Sequence, residues 1–196
     1  LKIKPDFVKA FFGIGVSYSK LHQNETAIQY FKKTLEFNPY DYEAHCNIGM
    51  IFLSQRETGK AISCLERSLE IHPDHLYVLS NLGVAYEELG KIDVAFSYYE
   101  RALTINPEFI EGRFNLSRLQ LGNGLINEGF KNYESRWKYE NFTSHRRQFS
   151  IPRWCGESLQ GKNILLWAEQ GIGDEIQFAS LISEFKDLGC NVGIEC

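Results

Sequence analysis

The residues richest in chemical possibility stand late in the chain, in Glu169-Gln170-Gly171-Ile172-Gly173-Asp174. A short apolar run, Asn163 to Ala168, precedes them and reads as a buried strand. Residues 175–188 follow with helical spacing through Ile176, Phe178, Ala179, Leu181, Ile182 and Phe185. Gly171 and Gly173 would let backbone amides near a helix N-terminus face a substrate oxygen or a phosphate, with Gln170 in the same loop. Asp174 stands at the mouth, where its carboxylate could take a proton from an attacking hydroxyl. The alternative is that Asp174 caps the helix and Glu175 complements its dipole.

Two phosphate signatures are weaker. Gly156-x4-Gly161-Lys162 imitates a P-loop, but Asn163 replaces the required hydroxyl residue and the motif precedes a strand instead of following one. Gly171-x-Gly173 follows a strand as a dinucleotide site should, yet Ile176 occupies the third glycine position. A nucleic-acid patch at Arg146, Arg147, Arg153 and Trp154 is set against a net charge of −4, and packing between domains accounts better for those residues.

A second set of candidates is periodic. Asn47, Asn81 and Asn115 recur every 34 residues, and each carboxamide can both donate to and accept from a peptide backbone. Each could equally solvate its helix face. The same period runs through Gly15, Gly49, Gly83 and Ser117; through Ala27, Ala61, Ala95 and Gly129; and through Phe31, Leu65, Tyr99 and Tyr133. Pro39, Pro73 and Pro107 mark the ends of units. Small residues let paired helices approach closely while large ones fill the groove between them. Loop signals at His22-Gln23-Asn24, Glu57-Thr58-Gly59, Gly90-Lys91 and Gly122-Asn123-Gly124 divide each unit in two. The expectation is eight helices, near 5–21, 24–37, 41–55, 58–71, 75–89, 92–105, 109–122 and 126–140.

The period ends after Tyr139. Residues 141–160 read as a connector, and 161–196 as strand, glycine loop, helix and strand, a βαβ unit too short to cover both faces of a parallel sheet. The fold class is therefore mainly α, a solenoid over 1–140 followed by an incomplete α/β, Rossmann-like segment. With 43% hydrophobic and 23% charged residues, the 196-residue chain is neither collagen-like nor disordered. No apolar run approaches the ~20 residues of a membrane span, and no signal-peptide pattern opens the sequence. Five cysteines without a CxxC pair favour reduced thiols in the cytoplasm, with Cys46 and Cys64 packing between helices and no metal site or cofactor. A first residue of Leu1 and the incomplete sheet point to a piece of a longer protein.

The repeat resembles the tetratricopeptide repeat, on Leu82-Gly83-x-x-Tyr86, Ala95-x-x-x-Tyr99 and Pro107 and their equivalents, over roughly 8–143. The fourth unit departs from the pattern at Ser117, Gln120, Gly129 and Asn141. The resemblance implies a concave surface lined by the first helix of each unit, taking Lys9, Phe12, Val16, Cys46, Met50, Tyr77, Ser80, Val84, Glu87, Phe114 and Arg118. It also implies a protein or peptide partner. Helices about 10 Å apart are matched by about three residues of extended peptide, so the three asparagines are similar to the asparagine ladder of O-GlcNAc transferases.

Residues 130–196 resemble the junction in bacterial tetratricopeptide proteins fused to a glycosyltransferase domain of heptosyltransferase type. The resemblance rests on Arg136-Trp137, Pro152-Arg153-Trp154 and the Glu169-Gln170-Gly171-x-Gly173-Asp174 core. It implies two facing Rossmann-like domains, Asp174 as general base, and a nucleotide-sugar donor held by a lobe absent from these residues. These residues alone are then expected to be inactive. The alternative is a non-catalytic scaffold that binds protein through its concave face.

Overall fold

A computed structural model of the chain describes residues 5–140, 150–152, 154, 157–167, 185 and 187–195. The chain divides into two compact units, Leu1–Tyr139 and Glu140–Cys196. In the first, the described residues form α1 (Pro5–Lys20), α2 (Asn24–Phe37), α3 (Tyr42–Ser54), α4 (Thr58–Ile71), α5 (Leu76–Glu88), α6 (Ile92–Ile105), α7 (Ile110–Gly122) and α8 (Ile126–Tyr133). Helices pack chiefly as the pairs α1–α2, α3–α4, α5–α6 and α7–α8, and α3, α5 and α7 also touch in succession.

The turn inside each pair has one geometry. His22, Arg56, Gly90 and Gly124, spaced by 34, all take left-handed φ values of 57°, 60°, 70° and 78°. The next residue then donates its backbone N–H back five positions, as Gln23 to Tyr18, Glu57 to Phe52, Lys91 to Tyr86 and Leu125 to Gln120, each at 2.9 Å. This is the Schellman closure of a helix C-terminus. Glycine adopts that φ freely, whereas His22 and Arg56 hold it against a steric cost. The turn of the second unit therefore falls one residue earlier than Glu57-Thr58-Gly59 suggests, and Gly59 lies inside α4.

Paired helices meet where a large side chain enters a gap left by glycine. A Cβ on Gly15 would lie 2.8 Å from the Phe31 ring, and one on Gly49 would lie 2.7 Å from Leu65. A Cβ on Gly83 would collide with the Tyr99 ring. Phe31, Leu65 and Tyr99 are fully buried. In the fourth pair Ser117 fills the gap, and its hydroxyl donates to the Phe114 carbonyl at 2.6 Å. Tyr133 lies instead against the Phe114 ring, with centroids 5.8 Å apart. The α-helix ends there and the chain tightens into a 3-10 helix, Glu134–Lys138, so the helix expected through residue 140 stops at Tyr133.

The second unit holds two described strands, β1 (Asn163–Trp167) and β2 (Asn191–Glu195), paired in parallel with Asn163 opposite Asn191 and Trp167 opposite Glu195. Gly189, left-handed at φ 75°, leads into β2, where the sequence places the end of a helix. Most of the expected helix 175–188 lies outside the described residues.

The glycine gaps give a direct test. Gly83→Ala should destabilise the chain by about 1–3 kcal/mol through overpacking against Tyr99. Gly13→Ala, mid-helix with open space around it, should stabilise by about 0.5–1 kcal/mol. Urea unfolding of the two variants would check both signs.

Candidate functional site

The inner helices α3, α5 and α7 present their side chains in rows, because residues 34 apart occupy the same place on successive helices. Glu43, Tyr77 and Glu111 form one row, Asn47, Asn81 and Asn115 the next, and Met50, Val84 and Arg118 a third. Within a helix the rows are four and three residues apart, which puts all three on one face.

The three asparagines are half-buried and differ in what they hold. Asn47 donates from Nδ2 to the Glu43 carbonyl of its own helix at 2.8 Å. Asn115 donates from Nδ2 to Ser80 Oγ at 3.0 Å, which ties α7 to α5. Among the described residues Asn81 makes no hydrogen bond with its side chain. In Asn47 and Asn115 the carbonyl oxygen is left over for a ligand, and in Asn81 the whole amide is.

The other expected residues separate into open and closed. Met50 and Tyr77 are 47% and 53% exposed, and Arg118 is exposed. Tyr77 sets its ring edge-on to Phe109 at 5.1 Å. Phe12 is instead a wall of the core, tilted on Phe31 at 5.6 Å and packed with Ala27 and Ile48. Phe114 is covered within its own unit by Tyr139 and Tyr133, at 4.9 and 5.8 Å. Cys46, expected on the concave lining, is buried with Leu65, Val78 and Leu82. That burial, aided by the charge of Glu43, pushes its thiol up to about 11, so it is protonated and unreactive at neutral pH. Cys46 therefore has the packing role also expected for it, and Ser80 is buried as the partner of Asn115.

Glu43 and Glu111 were missed by sequence reasoning. The signal was present, since they share the register of Lys9 and Tyr77. Also missed was a ring cluster at the turn between the second and third pairs. Tyr42 lies 4.8 Å from His72 and 5.3 Å from His75, and the two imidazoles meet edge-on at 5.5 Å. His75 caps α5, its Nδ1 accepting from the Val78 N–H at 3.3 Å. Asp41 does the same for α3 with Ala44 at 3.0 Å.

Gln170, Gly171, Gly173 and Asp174 lie outside the described residues. Among the described residues no group of three or more His, Cys, Asp or Glu could hold a metal, and no helix is long and apolar enough to cross a membrane.

Tetratricopeptide-repeat family models match residues 8–41 and 40–108. The helical unit belongs to the tetratricopeptide-repeat family. Protein FlbA of Caulobacter vibrioides is 38% identical over 69 residues, which are 34% of this chain and 11% of FlbA. The match thus spans about a tenth of that relative's length. The crystal structure of MamA superposes with a TM-score of 0.60 at 25% identity, over 67% of this chain and 77% of MamA. The first tetratricopeptide domain of Spaghetti (RPAP3), bound to the HSP90 peptide SRMEEVD, superposes at 0.59 with 19% identity, over 63% of this chain and 98% of that one. These structures share the repeat solenoid.

In this tetratricopeptide domain the His75 cap requires a neutral imidazole. Burial lowers the His75 pKa and the neighbouring His72 lowers it further, against the opposing charge of Glu43. Below the unfolded value of about 6.5 the unfolded chain therefore binds more protons than the folded one. Stability should be full above that pH, fall as pH drops through it, and level off below the folded value. Urea midpoints from pH 8 to 5 would follow this, and His75→Asn, which keeps a capping acceptor, should weaken the dependence.

Proposed function

We propose that the tetratricopeptide domain is a scaffold that holds an extended segment of a partner protein along α3, α5 and α7. The observation that carries this reading is the row of Asn47, Asn81 and Asn115, half-buried on successive inner helices with amide groups left over for a ligand. Helices about 10 Å apart meet an extended chain every three residues, so backbone groups recur at the spacing of the amides. Met50, Val84 and Tyr77 add apolar contact beside them. The peptide seated on the RPAP3 domain supports the same use of the fold. Free thiols at Cys46, Cys64 and Cys190 agree with a cytoplasmic setting.

A second reading concerns the parent protein. The parallel pairing of β1 and β2 requires a crossover connection, the arrangement of a Rossmann-like unit. That supports a bacterial glycosyltransferase, in which Asp174 is the general base, Gln170, Gly171 and Gly173 form the substrate loop, and a further lobe holds the nucleotide-sugar donor. Residues 1–196 would then be its inactive, acceptor-presenting part.

Replacing all three asparagines with Ala should weaken binding of a peptide selected from a random dodecapeptide library by roughly 10–100-fold, measured by titration calorimetry. Unchanged affinity would remove the amide row from the reading. For the parent, Asp174→Ala in the protein encoded by the full natural frame should abolish sugar transfer while leaving peptide affinity intact. Retained transfer would return Asp174 to a capping role.

A further inference from the structure

The inner face is lopsided in charge. α3 (Tyr42–Ser54) and α5 (Leu76–Glu88), the two central inner helices, contain no lysine or arginine at all. They carry Glu43 and Glu87, while Glu88 accepts from the Thr58 hydroxyl of α4 at 2.8 Å; α7 adds Glu111, and α1 adds Lys9, in the register of Glu43. Of the cations on α7, Arg113 is committed to the Pro107 carbonyl and to Glu108. Arg118 is the exposed one, standing in the row of Met50 and Val84. Glu87 accepts from the Tyr99 hydroxyl at 3.2 Å, and the charges of Glu87 and Arg118 act on that same group in opposite directions.

Between Glu43 and Glu111, in the same row, stands the half-exposed ring of Tyr77. Two carboxylates in one row attract ammonium or guanidinium groups and repel acidic ones. Glu43 and Glu111 lie two helix spacings apart, about 20 Å, which an extended chain covers in about six residues. Residues six apart on a strand point the same way. The neighbouring row of Met50 and Val84 is apolar.

Resting on the peptide-binding reading, we infer that this face selects an extended segment carrying two lysine or arginine residues about six positions apart, with apolar residues between them, and rejects acidic segments. Glu43 and Glu111 are the specificity-determining residues. The preference is opposite in sign to the two glutamates and the aspartate of the peptide SRMEEVD held by the RPAP3 domain.

The test begins with a phage-displayed library of random dodecapeptides panned on residues 1–196. Sequences retained should be enriched in Lys and Arg and depleted in Asp and Glu. The tightest one, resynthesised with fluorescein, should bind Glu43→Gln/Glu111→Gln about 5-fold more weakly by anisotropy, and the loss should vanish when its basic residues are replaced by Gln. Both substitutions are isosteric and outside the core, and matching circular dichroism melts would establish that the variant folds. Retained peptides that are acidic or indifferent to charge overturn the inference while leaving the peptide-binding reading in place, as does equal binding by the variant. No retained peptide at all overturns both.

Discussion

The fit of one large side chain into one glycine gap, repeated every 34 residues, governs the helical unit. Phe31, Leu65 and Tyr99 can be buried only because Gly15, Gly49 and Gly83 carry no Cβ where those side chains arrive. The gap sets how closely the two helices of a pair approach, and the pair is the brick from which the solenoid is stacked. Tyr99 adds a polar condition, since its hydroxyl must find a partner once the ring is inside. Glu87 supplies it from one turn beyond Gly83 on the same helix. Tyr86 similarly donates to Glu66 at 3.0 Å, and burial and that carboxylate push its phenol up to about 12.

The fourth pair illustrates the constraint by losing it. With Ser117 in the gap, Tyr133 lies over Phe114, α8 ends, and the 3-10 turn brings Tyr139 onto the same ring. One added Cβ and hydroxyl thus coincide with the end of the open inner face, because Phe114 no longer offers its ring to a ligand. The repeat pattern degenerates where the helix stack finishes, as terminal repeats do when one side meets something other than another repeat.

Repetition of the backbone does not make the repeated side chains equivalent. Asn47 spends its donor on its own helix, Asn115 on a neighbour, and Asn81 on neither. The capping position likewise changes from Asp41 to His75 to Phe109, so two of the three helices have a side-chain cap, and one of those caps is an imidazole that must stay neutral to accept. Surface chemistry can vary along a solenoid because the glycine gaps and the buried clusters between helices, not the exposed rows, carry the architecture. A binding face can therefore acquire acidic character without altering the fold.

The sequence by itself determined the period, the eight helices and most of their bounds, the parallel strand pair, and the row of asparagines. These depend on local spacing, and a 34-residue register read at four independent positions leaves little freedom. Even the left-handed turns follow from it once Gly90 and Gly124 align with His22 and Arg56. Tertiary structure alone decided which members of each row remain open. Phe12 became core, Cys46 sank between α3 and its neighbours, Phe114 was covered by residues 19 and 25 positions later, and Asn115 found Ser80. The physical reason is that periodicity assigns a side chain to a face of its own helix. Whether that face meets solvent depends on what the next helix, or the end of the stack, lays against it.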